Sequence, residues 1–216
     1  MEVKLVSYTK PVDELTQSNL NEYIAYVARV SNPANQHNNE TADKLIKYLM
    51  RNRHWSPLEM ADITIEIKCT RDIARQILRH RTFVFQEFSQ RYAEVQDYEF
   101  SEVRLQDNVN RQNSLETNQQ YYHEWWGKAQ LEVQQLAQKN YEAALKDGIA
   151  KEVARKILPE GLTMSCLYMK GSVRSWIHYL QVRLHKSTQK EHREVALACL
   201  NEINKVFNLE GLNENN

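Results

Sequence analysis

Between Asp62 and Arg81 the hydrophobic period of the chain changes from two to 3.6 with no linker between. From Asp62 to Cys69, Ile63, Ile65, Ile67 and Cys69 alternate with Asp62, Thr64, Glu66 and Lys68, which predicts a half-buried strand. From Arg71 to about Arg81 the apolar residues Ile73, Ala74, Ile77 and Leu78 follow helical spacing, and Arg71, Arg75 and Arg79 then share a face at i, i+4. An aromatic and polar loop is expected after Arg81.

Elsewhere helix dominates. Asn19 to Val30 reads as a short helix, and Thr41 to Arg51 as a clearer one, with Ala42, Leu45, Ile46 and Leu49 on one face and a break at Pro57. Tyr122, Trp125, Trp126, Ala129, Val133, Leu136, Ala137, Ala144 and Leu145 form the stripe of a long helix capped near Gly148. For Trp125 and Trp126 core packing is favoured over a base-stacking platform. Lys151 to Leu158 is a short helix stopped by Pro159. The apolar run Leu162 to Met169 is too short to assign by period and is read as helix in preference to strand. Another helix runs from Ser172 to Leu184, entered through Lys170-Gly171-Ser172. Thr188-Gln-Lys-Glu191 has the capping-box pattern and opens a last helix, through Val195, Leu197, Cys199 and Leu200, to Phe207. Tyr98 to Asn118 is polar and aperiodic, an expected exposed excursion. The chain is therefore a helix-rich α+β protein, and 216 residues without repeat or linker point to one domain, 1–216.

Lys plus Arg and Asp plus Glu both total 28, so no excess charge argues for a polyanion or membrane-surface binder, and any phosphate affinity must be local. No apolar run approaches the length of a membrane span and no signal peptide is recognisable, so a cytoplasmic location is expected, with no membrane or nucleic-acid partner. Cys69, Cys166 and Cys199 stand singly, with no C-x-x-C, and read as small apolar side chains. His178, His185 and His192 are spaced by seven, but no carboxylate or cysteine completes a ligand set, so no metal site is assigned.

The densest polar constellation runs from Arg75 through Arg79-His80-Arg81 to Glu87-Phe88-Ser89-Gln90-Arg91. Cations at a helix C-terminus are ordinary, because the macrodipole favours them there. Four arginines interleaved with Gln, Glu and Ser nevertheless make a cradle for a phosphate and a planar polar ring. RHR, seven residues and Ser, extended to Arg91, resembles the signature of the flavin-dependent thymidylate synthases. The resemblance continues in family order through Ala28-Arg29-Val30-Ser31, the Tyr48 to Glu59 stretch, Glu152 to Arg155 with Leu158-Pro159, and Arg174 to His178 with Arg183.

That resemblance implies a small antiparallel sheet flanked by helices and a homotetramer whose active sites are shared between subunits. It also implies bound FAD and a reaction in which methylenetetrahydrofolate supplies carbon to dUMP, giving dTMP and tetrahydrofolate, with NADPH as reductant. The family's dUMP contacts fall here on Gln76, Ile77, Leu78 and Arg79, on Glu87, Phe88, Ser89, Gln90 and Arg91, and on Arg155 and Arg183. Arg183 takes the catalytic place, where a guanidinium beside uracil N3 and O2 would stabilise negative charge and make C5 more nucleophilic without a protein cysteine. FAD contacts fall on Ser31, His54, Ser56, Glu59, Arg79, His80, Arg81, Glu87, Gly171, Ser172, Arg174 and His178, with the start of the Ser172 helix suited to a pyrophosphate. His178 stands where many members of the family have asparagine, and Lys170-Gly171-Ser172 replaces a turn that often includes one. Gln189 and Glu191 also resemble a family block, but the capping box accounts for Glu191. Zero net charge opposes a non-catalytic nucleic-acid binder, and retention of Arg79, Arg81, Glu87, Ser89, Arg91 and Arg183 opposes a regulatory module that has lost the chemistry.

Overall fold

The computed structural model describes residues 1–12, 15 and 17–209; the end of the expected 1–216 domain lies outside them. Its centre is an antiparallel sheet in the order β1-β2-β6-β3, with β1 at Glu2–Tyr8, β2 at Asp62–Thr70, β3 at Val84–Glu87 and β6 at Met164–Ser172. The alternation of β2 is realised as expected: Ile63, Ile65 and Ile67 are fully buried, each contributing about 1.5–3 kcal/mol. Opposite them in register stand Gly171, Met169 and Leu167 of β6, and Val3 and Leu5 of β1.

Five helices cover the inner face of the sheet: α1 (Leu20–Ala28), α2 (Ala42–Arg51), α3 (Arg71–Ile77), α6 (Val173–Arg183) and α7 (Lys190–Ile203). The Asn19 side chain caps α1 by accepting from the Glu22 N–H at 3.0 Å, and Ser172 does the same for α6 at 3.2 Å. Trp176 lies fully buried on α6, its indole N–H donating to the Ile63 carbonyl at 3.0 Å. α6 is thereby stitched to the central strand. A short hairpin, β4 (Arg104–Gln106) with β5 (Ser114–Glu116), the 27-residue α4 (Gln120–Lys146) and the one-turn α5 (Lys151–Ala154) lie beside this core. Gly148 follows α4 at φ +83°, a left-handed position suited to a residue without Cβ.

Several expectations are corrected. The run Leu162 to Met169 is not helix: from Met164 onward it is strand β6, preceded by a turn at Leu162 and a bridge at Thr163. Its inward positions are Ser165, Leu167 and Met169, but its outward positions Met164, Cys166 and Tyr168 are apolar enough to erase the alternation. The loop expected after Arg81 contains β3, and Glu2–Tyr8, to which the pattern alone assigns no element, is β1. The α3 helix ends at Ile77, so Arg79 does not share a helical face with Arg71 and Arg75. The long helix is present, but much of its stripe is not core: Ala137 is buried and Ala144 and Leu145 pack against a small cluster with Tyr141, while the rest of the stripe lies nearer solvent. Among its residues only Gln130, Ala137 and Tyr141 are buried, while Trp125, Val133 and Leu136 are half or more exposed. Trp126 is partly covered and donates to the Ser101 hydroxyl. The capping box does not form: Gln189 is the N-cap of α7 with no side-chain cap, and Thr188 donates instead to the Val182 carbonyl. The excursion is exposed over most of its length, as expected, and also carries structure, with Tyr98 bridged to Thr163 and the β4–β5 hairpin tied by Arg104 to α7.

Candidate functional site

The Arg79-His80-Arg81 triplet occupies a tight turn between α3 and β3, in which the His80 N–H donates to the Ile77 carbonyl and the Phe83 N–H to that of His80. Phe83 anchors the turn edge-on to Trp176, with ring centroids 4.9 Å apart. Gly171 is required beneath it, since a Cβ there would meet the Phe83 ring at 2.5 Å. The turn points Arg79 and Arg81 outwards, exposed and without an ion pair among the described residues, and His80 inwards.

His80 meets Arg183 from the last turn of α6. The Arg183 Nε–H donates to His80 Nε2 at 2.9 Å, which requires a neutral imidazole protonated on Nδ1. Burial, and then the charge of Arg183, push the His80 pKa down to about 4. Because Nε is committed to His80, both terminal nitrogens of Arg183 remain for a ligand. Behind His80, at a ring distance of 6.3 Å, lies His192 of α7 with no exposed surface. Burial, Arg183 and His80 push it down to about 3. His192 Nδ1 is 3.2 Å from Gln76 Oε1, and the Gln76 amide donates to Gln189.

A second cluster forms where α3, the loop after β3 and the turn after α5 converge. Arg71, Arg75, Gln90, Arg155 and Lys156 line a cavity of about 240 Å³ with Leu158 and Glu160. Four cations face one carboxylate there. Arg71 is buried, which pulls its pKa down, while Glu87 at 3.5 Å holds it up. Arg75 pairs with Glu160 at 2.9 Å, and Arg155 has no ion-pair partner among the described residues. The Gln90 amide nitrogen is buried with no acceptor, and a lone buried donor of this kind is costly unless a ligand accepts from it. Glu87 also accepts from the Ser165 hydroxyl, Ser89 turns the chain through its carbonyl, and Arg91 reaches Glu152 at 3.3 Å. The expected residues Glu87 to Arg91 and Arg155 are thus neighbours. Arg75, one of the four arginines of the expected cradle, joins them, as do Arg71 and Lys156, which the resemblance does not assign; for Arg71 the only sequence signal is its i, i+4 spacing from Arg75.

A third cluster opens at the start of α6. Trp55, Glu59, Thr82, Arg174, Ser175, His178 and Gln181 line a cleft of about 340 Å³. Glu59 accepts from the Ser172 hydroxyl and from Arg174, both at 2.6 Å, and these hydrogen bonds hold its carboxyl below the usual range, the Ser172 contact most strongly. Arg174 and Arg183 project from opposite sides of α6, as their nine-residue separation implies. His54 and Ser56 follow Arg53, whose φ of +57° is a left-handed conformation costing a non-glycine residue about 1–3 kcal/mol. That residue lies just beyond the Asn52 cap of α2, and the next, His54, stands edge-on to Tyr48 at a ring distance of 5.8 Å. Ser31 is exposed just beyond α1, where Arg29 ties the following loop through Thr41 at 2.7 Å.

One chain does not bring all these residues to one cavity. The cationic cavity holds neither Arg183 nor His178, and the Arg174 cleft holds no residue from Glu87 to Arg91. A larger cavity of about 600 Å³, bounded by Trp126, Gln130, Asp72 and Glu194, contains none of the residues expected to bind nucleotide or flavin. Size is outweighed here by the converging arginines, which the chemistry of a phosphate demands. No cysteine lines the cationic cavity or the Arg174 cleft, and burial raises Cys69 to about 12 and drives Cys199 upward as well, which leaves both as unreactive thiols.

Comparison with known proteins matches residues 4–208 to the family described as thymidylate synthase complementing protein. The chain is 50% identical over 209 residues to a flavin-dependent thymidylate synthase of Synechocystis sp., covering 96% of each. It is 49% identical over 208 residues to a probable flavin-dependent thymidylate synthase of Paramecium bursaria Chlorella virus 1, covering 96% of this chain and 95% of the other. Among solved structures, a UMP/dUMP methylase, PolB, from Streptomyces cacaoi bound with 5-Br dUMP superposes with a TM-score of 0.80 at 28% identity, over 95% of this chain and 91% of that one.

Proposed function

The chain belongs to the flavin-dependent thymidylate synthase family, and from that premise we infer that it is an enzyme that methylates dUMP to dTMP with a flavin cofactor. The carbon comes from methylenetetrahydrofolate, the flavin is FAD, and NADPH re-reduces it. The observation that carries the nucleotide assignment is the cavity of Arg71, Arg75, Arg155 and Lys156 around the unpartnered Gln90 amide. It suits the dUMP phosphate, with Ser89 and Arg91 at its edge.

FAD fits the chemistry of the exposed residues: Arg79 and Arg81 are free cations suited to its pyrophosphate, and the cleft of Trp55, Arg174 and His178 offers an aromatic wall beside polar donors. Glu59 lines that cleft, and Ser31, His54 and Ser56 are assigned to the same cofactor by the family resemblance. Gly171 and Ser172 already serve Phe83 and the α6 cap, so their share is through neighbouring atoms. When bound, FAD supplies the reducing equivalents.

The protein's own part is orientation and charge. Arg183, held by neutral His80, directs its two terminal nitrogens at uracil N3 and O2, and charge stabilised there raises the nucleophilicity of C5. Gln76 and Arg79 hold the nucleotide from the same side. Because the phosphate cavity and the Arg183 side stand apart in one chain, each complete site is drawn from more than one subunit of a homotetramer. The exposed Tyr121, Trp125, Val133 and Leu136, within about 120° on α4, give that assembly an apolar surface to bury. The chain works as a single domain in the cytoplasm; among the described residues no helix is long and apolar enough to cross a membrane.

The purified protein is expected to be yellow, to bleach when NADPH is added anaerobically, and to form dTMP from dUMP and methylenetetrahydrofolate. Failure to bind flavin after reconstitution with excess FAD would falsify the assignment. Tight single-stranded DNA binding with a steep salt slope would favour a nucleic-acid role.

A further inference from the structure

The strongest unassigned feature is a run of hydrogen bonds with one permitted direction. Arg104 of β4 donates to Glu191 Oε1 at 2.5 Å, Gln189 Nε2 donates to Glu191 Oε2 at 3.0 Å, and Gln76 Nε2 donates to Gln189 Oε1 at 2.7 Å. His192 Nδ1 lies 3.2 Å from Gln76 Oε1.

An ionised carboxylate only accepts hydrogen bonds. Glu191 therefore obliges Gln189 to present its amide N–H, which leaves the Gln189 carbonyl for Gln76. Gln76 must then turn its own N–H to Gln189 and its carbonyl to His192. His192 must carry its proton on Nδ1. Its Nε2 is left bare, and that atom is buried with no partner, as the direction of the run requires. Without Glu191 both amides could rotate by half a turn, since their two ends differ little in shape. Burial raises the Glu191 carboxyl, but the hydrogen bond from Arg104 and further polar contacts bring it below the usual range. The acceptor-only state is secure at neutral pH.

We propose that Glu191, clamped by Arg104 of the β4–β5 hairpin, is a positioning residue for the methylation: through Gln189 it sets the sense in which the Gln76 carboxamide meets the nucleotide. The hairpin in the polar excursion thus acts on the site from outside it. This rests on the reading of Gln76 as a dUMP contact.

The test uses the FAD-loaded enzyme and dUMP. Glu191→Gln keeps the shape but removes the one-way acceptor, and is expected to weaken dUMP binding about tenfold, the loss of about 1.4 kcal/mol of oriented hydrogen bonding, with FAD content unchanged. Gln76→Ala is expected to do at least as much, and Glu191→Gln added to it nothing further, because the two act through one amide. In ¹⁵N-histidine NMR the His192 ring is expected as the Nδ1–H tautomer in the parent and as a mixture in Glu191→Gln. Should Glu191→Gln fail to fold, Gln189→Met cuts the run at its next link and carries the same expectation. Additive losses, or parental dUMP affinity in Glu191→Gln beside an impaired Gln76→Ala, overturn the proposal. If Gln76→Ala binds dUMP normally while the His192 tautomer still responds to Glu191→Gln, the run stands and the premise about Gln76 falls, and the positioning role with it.

Discussion

Acid should unfold this protein through two histidines that serve Arg183, and replacing one of them separates their shares. In the native state His80 and His192 are neutral, with pKa values pushed down to about 4 and about 3, against about 6.5 in an unfolded chain. The unfolded state therefore binds more protons between those limits, so the stabilisation is complete above pH 6.5 and is lost as pH falls towards the native values. At pH 5 an unfolded histidine is almost wholly protonated while either native ring is almost wholly neutral, which makes each worth about 2 kcal/mol between pH 8 and pH 5. Their sum, about 4 kcal/mol, is large beside a total stability of about 5–15 kcal/mol. The groups facing them are cationic or titrate alike: Arg183 and His178 for His80, Arg183 and His80 for His192. No carboxylate is among the causes that would rescue the charged form. His192→Asn keeps an N–H where Nδ1 stands, so the bond to Gln76 survives, but removes one titrating ring. Urea unfolding of both proteins at several pH values should show curves that converge by about 2 kcal/mol as pH falls from 8 to 5. Parallel curves would mean that His192 is not held neutral in the core, and the account of Arg183 resting on an uncharged pair would fail with it.

Arg183→Lys should slow single-turnover dTMP formation by about 10²–10³ at saturating dUMP, because one ammonium cannot both serve His80 and present a planar pair of donors to uracil. A variant turning over at the parental rate would remove Arg183 from its catalytic role. Arg91→Lys, measured beside it, should mainly weaken dUMP affinity, since an ammonium remains an adequate partner for phosphate. Cys69, Cys166 and Cys199 should each tolerate Ala with dTMP formation retained. Cys69 and Cys199, buried in the core, should lose stability on the order of 1 kcal/mol. Abolished turnover in a cysteine variant with FAD and dUMP binding intact would contradict a mechanism without a cysteine nucleophile.

What was legible in the sequence follows from how far each element's environment is uniform along it. β2 is buried on one side over its whole length, so its alternation survives in the residue types, and α3 follows it without a linker. β6, its neighbour in the same sheet, carries Met164, Cys166 and Tyr168 outward, and a period-two signal made of apolar residues on both faces is no signal. β1 alternates through Leu5 and then slips at a bulge before Ser7, and β3 has only four residues in which to show a period. The α4 stripe is real as a pattern and misleading as a location, because periodicity reports that a face is apolar and not what covers it.

The site divides in the same way. The Arg79 to Arg91 cluster was legible because its residues are contiguous and resemble a family signature, whereas the cationic cavity draws Arg71 and Arg75 from α3, Gln90 from the loop after β3, and Arg155 and Lys156 from the turn after α5. Those pieces meet because the Arg71 N–H bonds the Thr163 carbonyl and β3 pairs with β6, contacts between segments some eighty or more residues apart. Glu191 shows the limit most plainly. Thr188-x-x-Glu191 is a sound local pattern, and a local hydrogen bond wins when nothing competes. Here Arg104, 87 residues away in sequence, supplies a full positive charge to the same carboxylate. The guanidinium brings a full charge to the carboxylate where a backbone N–H brings only a dipole, so the ion pair prevails. The cap is forgone, Gln189 becomes the N-cap with its side chain released towards Glu191 and Gln76, and a residue that looks like helix punctuation is left tied to the β4–β5 hairpin.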